Sequence, residues 1–180
     1  MRKIGQIFRF LIPVIALVAL VVFMTGAGSR ERAKLEENKA IVRASVEKFW
    51  NTGDLAAADE IYATNYVGHH PGALGEVRGR EAMKKWAKVE FAAFPAFPNA
   101  HITIEDLVAE GDKVTERWTL RETIALPWHD GVTLRHIGNV MQTGITIYRI
   151  ADGKIVEGWW NYDALGKMQA LGFKLVPAEE

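Results

Sequence analysis

The stretch Lys154-Ile155-Val156-Glu157-Gly158-Trp159-Trp160-Asn161-Tyr162-Asp163-Ala164-Leu165-Gly166-Lys167-Met168-Gln169-Ala170-Leu171-Gly172 decides the fold. It follows the turn signal Asp152-Gly153 and opens as a strand, in which Ile155, Glu157, Trp159 and Asn161 alternate with Val156, Gly158, Trp160 and Tyr162. A period of two sends the two sets to opposite faces of a sheet. Beyond Tyr162 the pattern becomes helical: Leu165, Met168 and Leu171 recur at helical spacing, Asp163 suits the N-cap, and Gly172 stops the helix. Each face of the strand carries a tryptophan, so neither is cleanly polar. That suits a sheet with one face on a core and the other lining a cavity.

Upstream of this stretch the chain reads as strands back to His101. Thr143 to Ile150 is one, and another is expected around Leu134, after a loop carrying Pro127, Trp128, His129, Asp130 and Gly131. Val114 to Ile124 alternates, with Val114, Glu116, Trp118 and Leu120 facing one way and Thr115, Arg117, Thr119 and Arg121 the other. Glu110-Gly111-Asp112-Lys113 is a hairpin turn, and His101 to Ala109 places Ile102, Ile104 and Val108 on one face. Before Pro98 the periodicity is helical. Helices are expected near 38–51 (Ile41, Val42, Val46, Phe49, Trp50), 54–63 (Leu55, Ala58, Ile61, Tyr62, with Asp54 as cap) and 79–94 (Met83, Trp86, Ala87, Phe91, Phe94), with a loop from Val67 to Gly72. Helices first, then a meander of hairpins, predicts an α+β domain with three helices packed on one side of an antiparallel sheet and a short C-terminal helix.

The chain of 180 residues carries 22 basic and 22 acidic side chains, so its balance points to no nucleic acid and no acidic partner. It has no cysteine, which excludes disulfides, thiolate nucleophiles and cysteine-bearing zinc sites. Arg2, Lys3 and Arg9 precede an uninterrupted apolar run from Phe10 to Met24, followed by small residues through Gly28. This is the layout of a secretory signal, at the lower edge of what spans a bilayer. Residues 1–28 are therefore expected to be a cleaved signal peptide or an uncleaved signal-anchor that meets the membrane through residues 10–28. Pro13 argues against a buried soluble helix. The basic residues on either side leave the orientation open. The protein is expected at the membrane or exported to the cell envelope, with residues 29–37 a charged linker and residues 38–180 a single domain.

Several motifs then occur in a set order. Asn51-Thr52-Gly53-Asp54-Leu55 follows Phe49-Trp50; Tyr66, Val67, His69 and Pro71 come next, then Gly79-Arg80-Glu81. Ile104 to Val114 leads to Arg117-Trp118-Thr119, and Ile147 to Glu157 leads into the opening stretch. In this order, over about residues 38 to 173, the chain resembles the SnoaL-like polyketide cyclase (ester cyclase) family. The resemblance implies the nuclear-transport-factor-2-like (NTF2-like) fold, a cone of helices against a strongly curved sheet around a hydrophobic pocket, and homodimers that often pair through the sheet. It also implies an aspartate near the end of the last strand as acid/base for an aldol ring closure, within a Trp-Asp-Asn-x-Asp pattern. This chain reads Trp159-Trp160-Asn161-Tyr162-Asp163, so Trp160 holds that position, and an indole has no proton to exchange near neutral pH.

His69 keeps its family position and is the candidate catalytic group or ligand-orienting base; its neighbour His70 is expected to be exposed. Arg117 is read either as a pocket group holding a carbonyl or carboxylate, or as half of an ion pair with Glu105 or Glu157. The pocket is expected to be lined by Trp50, Tyr66, His69, Trp86, Arg117, Trp118, Trp160 and Asn161. Such aromatic walls favour a small hydrophobic molecule, polyketide-, terpenoid- or aromatic-like. His101, His129 and His136 stand on separate elements and give no metal-ligand spacing. Neither a metal nor a cofactor is implied. Three functions remain open: an enzyme of the cyclase, isomerase or dehydratase kind, a non-catalytic ligand-binding protein, and a membrane-tethered protein-interaction module.

Overall fold

The computed structural model describes residues 28–71, 75–93, 100–124, 138–174 and 176. The apolar run Phe10–Met24, the loop at 127–131 and the strand expected around Leu134 lie outside them. Among the described residues no helix is long and apolar enough to cross a membrane. The chain divides into two compact units, Met1–Glu36 and Glu37–Glu180. Of the first, residues 28–36 are helical and exposed except for the half-buried Leu35.

The second unit opens with helix α1, whose residues 37–44 run into a π-helical turn, Ser45–Trp50. The turn is closed by the Asn51 N–H on the Val46 carbonyl at 2.8 Å. With an extra residue in the turn, two adjacent pairs face inward, Ser45 with Val46 and Phe49 with Trp50. The Asn51 side chain then clamps the helix end to the sheet, donating to the Ile102 carbonyl at 2.9 Å and accepting from its N–H at 2.7 Å. Asp54 Oδ1 accepts from the Ala56 N–H ahead of α2, Ala57–Ile61. The remaining elements are β1 (Tyr62–His69), β2 (Glu76–Arg78), α3 (Arg80–Ala93), β3 (His101–Glu110), β4 (Lys113–Ile124), β5 (Gly138–Ala151), β6 (Lys154–Tyr162) and α4 (Ala164–Ala170).

The six strands form one sheet in the order β2-β1-β6-β5-β4-β3. It is mixed rather than antiparallel as expected, because β1 runs parallel to β6 while all other neighbours are antiparallel. β1 replaces the end of the predicted second helix and most of the predicted loop. Asp152 and Gly153 both take positive φ (49° and 73°), as a two-residue hairpin between β5 and β6 requires. Two register shifts change which side chains face inward. Between Arg149/Glu157 and Ile150/Ile155 the β6 strand carries the extra residue Val156, so Ile155 is buried with Gly158 while Glu157 and Trp159 face outward. On β3 the shift between Ile104 and Asp106 turns Leu107 and Ala109 toward the core and leaves Val108 exposed.

The helices cover one face of the sheet, where Tyr62, Tyr66, Tyr148, Phe49, Met83 and Ile155 are fully buried. Each such side chain stabilises by roughly 1.5–3 kcal/mol relative to exposure. Phe49 meets Trp50, Tyr62 and Phe91 edge-on, and Tyr62 meets Tyr66 in the same way at 5.0 Å. At the far end α4 starts on Asp163, whose Oδ1 accepts from the Gly166 N–H at 2.7 Å. It is held to β4 by the buried pair Lys167–Glu122, Nζ to Oε1 2.6 Å.

Candidate functional site

β6 delivers Trp160 to the helix-covered face, where its ring packs on Trp50 (5.4 Å between centroids), Tyr148 (5.8 Å) and His70 (5.4 Å). The indole N–H points to the Tyr66 hydroxyl at 3.5 Å. Trp86, from α3, closes on Trp50 at 5.6 Å and on His70 at 4.4 Å. Trp118 lies on the same face of the sheet and donates from Nε1 to Thr146 Oγ1 at 2.9 Å. Glycines let these rings lie low on the strands. A Cβ at Gly144 would fall 2.2 Å from the Trp118 ring, and one at Gly158 or Gly68 would fall 2.9 or 2.8 Å from the Tyr66 hydroxyl.

His70 is the ionisable ring of this group. It is 7% exposed, stacks nearly parallel to Trp160 (14°), and neither ring nitrogen has a hydrogen-bond partner. Burial, reinforced by the adjacent His69, pushes its pKa down to about 4. The ring is therefore neutral near neutral pH, with one N–H to donate and one bare nitrogen to accept. Burial pushes the Tyr66 phenol up to about 12 and keeps it a neutral donor.

The structure thus inverts the expected placement of the two histidines: His70, expected to be exposed, is the buried one. Gly68 and His70 share the covered face, with His70 Nε2 only 3.2 Å from where a Gly68 Cβ would stand, so the intervening His69 points the other way. His69 stacks on Trp159 at 5.4 Å, its Nε2 lies 2.9 Å from Glu157 Oε1, and its Nδ1 faces Glu76 Oε1 at 3.3 Å. Glu157 also takes two bonds from the Arg149 guanidinium, and these partners hold its carboxyl below the usual carboxylate range, His69 most of all. Arg117 stands on the same outer face and makes two bonds to Asp106 Oδ2 (2.8 and 2.6 Å), not to Glu105 or Glu157. Asn161, paired in register with Ile145, is exposed there too. Of the expected pocket residues, the structure gathers Trp50, Tyr66, Trp86, Trp118 and Trp160 on the covered face and sets His69, Arg117 and Asn161 on the other.

Sequence reasoning passed over two groups. His70 shares its dipeptide with His69, and only the parity of β1 separates them. Glu116 shares a strand face with Val114 and Trp118, an acidic residue in an apolar row. It is 1% exposed, its Oε1 has no hydrogen-bond partner, and burial pushes its carboxyl up to about 7, partly offset by the neighbouring Tyr148 hydroxyl.

No curated protein matches this chain. Among solved structures it is similar to IdmH of Streptomyces antibioticus, a candidate polyketide cyclase, at 28% identity and a TM-score of 0.66 over 76% of this chain and 99% of that one. It is also similar to a candidate polyketide cyclase from Acidithiobacillus ferrooxidans at 26% identity and a TM-score of 0.64, over 76% and 94% of the two chains. A third, from Bacillus cereus, is 29% identical with a TM-score of 0.60 over 76% and 80%. The shared architecture is the NTF2-like α+β fold. The family model for SnoaL-like polyketide cyclases matches residues 40–171, nearly the whole of the sheet-bearing unit, and the chain belongs to that family.

Proposed function

We propose that this protein receives a flat, largely apolar molecule bearing a carbonyl or hydroxyl against Trp160, with His70 as the polar group that meets it. The observation that carries this reading is the His70 ring: buried, parallel to Trp160, and without a partner on either nitrogen. An unpaired buried polar atom costs about 1–3 kcal/mol, and a ligand oxygen that accepts its N–H removes that cost. Trp50, Trp86, Trp160 and Tyr66 supply aromatic faces, which favour a polyketide-, terpenoid- or aromatic-like molecule. Family membership supports chemistry next to a carbonyl, of the ring-closing or isomerising kind. In that chemistry the neutral imidazole donates to the oxygen on which charge develops. His69 has both nitrogens against carboxylates and neither free for a ligand.

The test is a tryptophan-fluorescence titration with 2-naphthol. His70→Ala is expected to weaken binding about tenfold, the worth of one hydrogen bond, while His69→Ala leaves it unchanged. Weakening by His69→Ala with none by His70→Ala would return the site to the other face.

We further propose that two copies pair through the outer face of the sheet. Met141, Ile145 and Ile147 project there from β5 and are 58%, 49% and 37% exposed. A row of exposed apolar side chains on one strand is the mark of an interaction surface rather than of scattered surface residues.

A further inference from the structure

The outer face of the sheet carries a chain of charged side chains that crosses four strands. His69 on β1 is opposite Glu76 on β2 and Trp159 on β6. One row along, Val67 separates Arg78 on β2 from Glu157 on β6, with Arg149 on β5 beyond. Each carboxylate divides its two oxygens. Glu76 turns Oε2 to the Arg78 guanidinium and Oε1 to His69 Nδ1 at 3.3 Å. Glu157 turns Oε2 to Arg149 at 2.9 and 3.0 Å and Oε1 to His69 Nε2 at 2.9 Å. The order Arg78, Glu76, His69, Glu157, Arg149 therefore alternates in sign when the imidazole is charged, with His69 as the central link.

A carboxylate oxygen only accepts, so each contact of the ring needs a hydrogen on its nitrogen. The imidazolium has both. A neutral ring has one, and sets the lone pair of its other nitrogen against a carboxylate oxygen. Nε2 is the nitrogen that keeps its hydrogen, because its contact is the shorter and Glu157 is fixed from behind by two bonds from Arg149. Nδ1 is then bare toward Glu76, which stands on an edge strand of three residues and is 42% exposed, able to turn to water with Arg78.

We propose that His69 is a proton-operated clasp on the edge strand β2: doubly protonated, it ties β2 to β6 through Glu76 and Glu157, and on losing the Nδ1 proton it releases Glu76. The tie is complete on the acid side of the ring's titration and is lost as pH rises through it. What it controls is how often β2 opens. β2 holds the backbone of the next residue, since the His70 N–H donates to the Gly75 carbonyl at 2.8 Å, and the Gly79 N–H donates to that of Tyr66 at 2.7 Å. These bonds and the buried Val77 keep β2 docked in both states. The affinity of the folded protein for a ligand at His70 is therefore indifferent to His69, while the frequency of opening is not.

The charged and titratable groups around the ring come from every strand beside it. Glu76 and Arg78 are on β2, Glu157 on β6 and Arg149 on β5. The Lys113 ammonium of β4 is 5.9 Å from the centre of the Trp159 ring on which His69 stacks. His69 first, then Arg149, holds the Glu157 carboxyl below the usual carboxylate range, so it stays charged where an imidazole titrates. His70 titrates near 4 and is neutral there. Glu116 changes charge near 7, but from the buried face of β4, and its effect is common to the whole fold.

The experiment is NMR on the full chain from pH 5 to 8, the range in which histidine side chains change charge. The ring nitrogen shifts of His69 are expected to show both nitrogens protonated at the acid end and Nδ1 bare at the other. Over the same range the amides of His70 and Gly79, each rate divided by its intrinsic value, are expected to lose roughly two- to fivefold in protection from hydrogen exchange, the worth of one partly exposed ion pair. The Ile102 amide, bonded to Asn51 on the far edge strand, serves as the reference that removes the common effect of Glu116. In His69→Gln and in Glu76→Gln the loss of protection is expected to vanish. A loss that survives in either variant, wild-type protection that is flat or grows with pH, or a neutral ring bare at Nε2 overturns the clasp. Should a variant fail to fold, the wild-type ring and amides decide.

Discussion

Glu116 and His70 pull stability with pH in opposite directions. His70 falls from its ordinary 6.5 to about 4, so between those values the unfolded chain binds more protons than the native one. Stability from this group therefore rises with pH, is complete above about 6.5, and is lost as pH falls through about 4. Glu116 rises from 4.5 to about 7, and in that window the native chain keeps a proton that the unfolded chain has lost. Its contribution is present below about 4.5 and is lost as pH rises through about 7. Each slope is at most about 1.4 kcal/mol per pH unit, and over the shared window the two offset each other. Urea denaturation of Glu116→Gln between pH 4.5 and 6.5 is expected to show stability rising with pH, and of His70→Phe to show it falling. Flat profiles in both variants would mean that neither group is as desolvated as its burial indicates. The same pair shows what a sequence conceals at this scale. Alternation already put Glu116 inward with Trp118 and Arg117 outward, so Arg117 and Trp118 were never able to share a pocket. His69 and His70 carry no such cue, because Tyr62–His69 lacks an alternating pattern and the deciding neighbour, Trp160, is ninety residues away in the chain.

At the scale of elements, most of β3 to β6 and α3 was legible because their partners are adjacent in sequence and joined by hairpins or marked by helical period. β1 was not. It pairs in parallel with β6, the last strand, and its register slips between Tyr62 and Val67, so no local pattern announces it. The β6 bulge at Val156 likewise reversed the reading of Ile155, since one extra residue flips the parity of everything before it. Helix α4 was legible through Asp163, but its anchor to the sheet, Lys167 against Glu122, joins residues that nothing in the local pattern connects. Both side chains are nearly inaccessible, so removing one partner strands a buried charge. Lys167→Met is expected to cost about 3–5 kcal/mol in chemical denaturation, and Lys167→Met with Glu122→Leu to recover most of it. A double variant no more stable than the single one would show that the pair contributes net attraction beyond the desolvation it offsets.

At the scale of the molecule, the two faces of the sheet divide the work. The covered face holds the aromatic group and its two titratable side chains, while the outer face presents Met141, Ile145 and Ile147 in a line along β5. In register, Ile145 lies between the polar Arg117 and Asn161, while Ile147 lies between Thr115 and Trp159, whose ring extends the apolar line onto β6. Under the proposed pairing, a twofold axis would set this same patch of both copies face to face. Residues Glu37–Glu180 form a compact unit of their own, so a chain beginning at Glu37 is expected to fold and to serve for the measurement without the apolar N-terminal run. At roughly 50 µM, where a contact worth about 6–7 kcal/mol or more persists, that chain is expected to sediment as a dimer. Ile145→Lys is expected to make it a monomer with an unchanged melting profile at low concentration, because half of that side chain is already in water. A wild-type monomer at that concentration would refute pairing through this face. A dimer indifferent to both Ile145→Lys and Ile147→Lys would place the contact elsewhere.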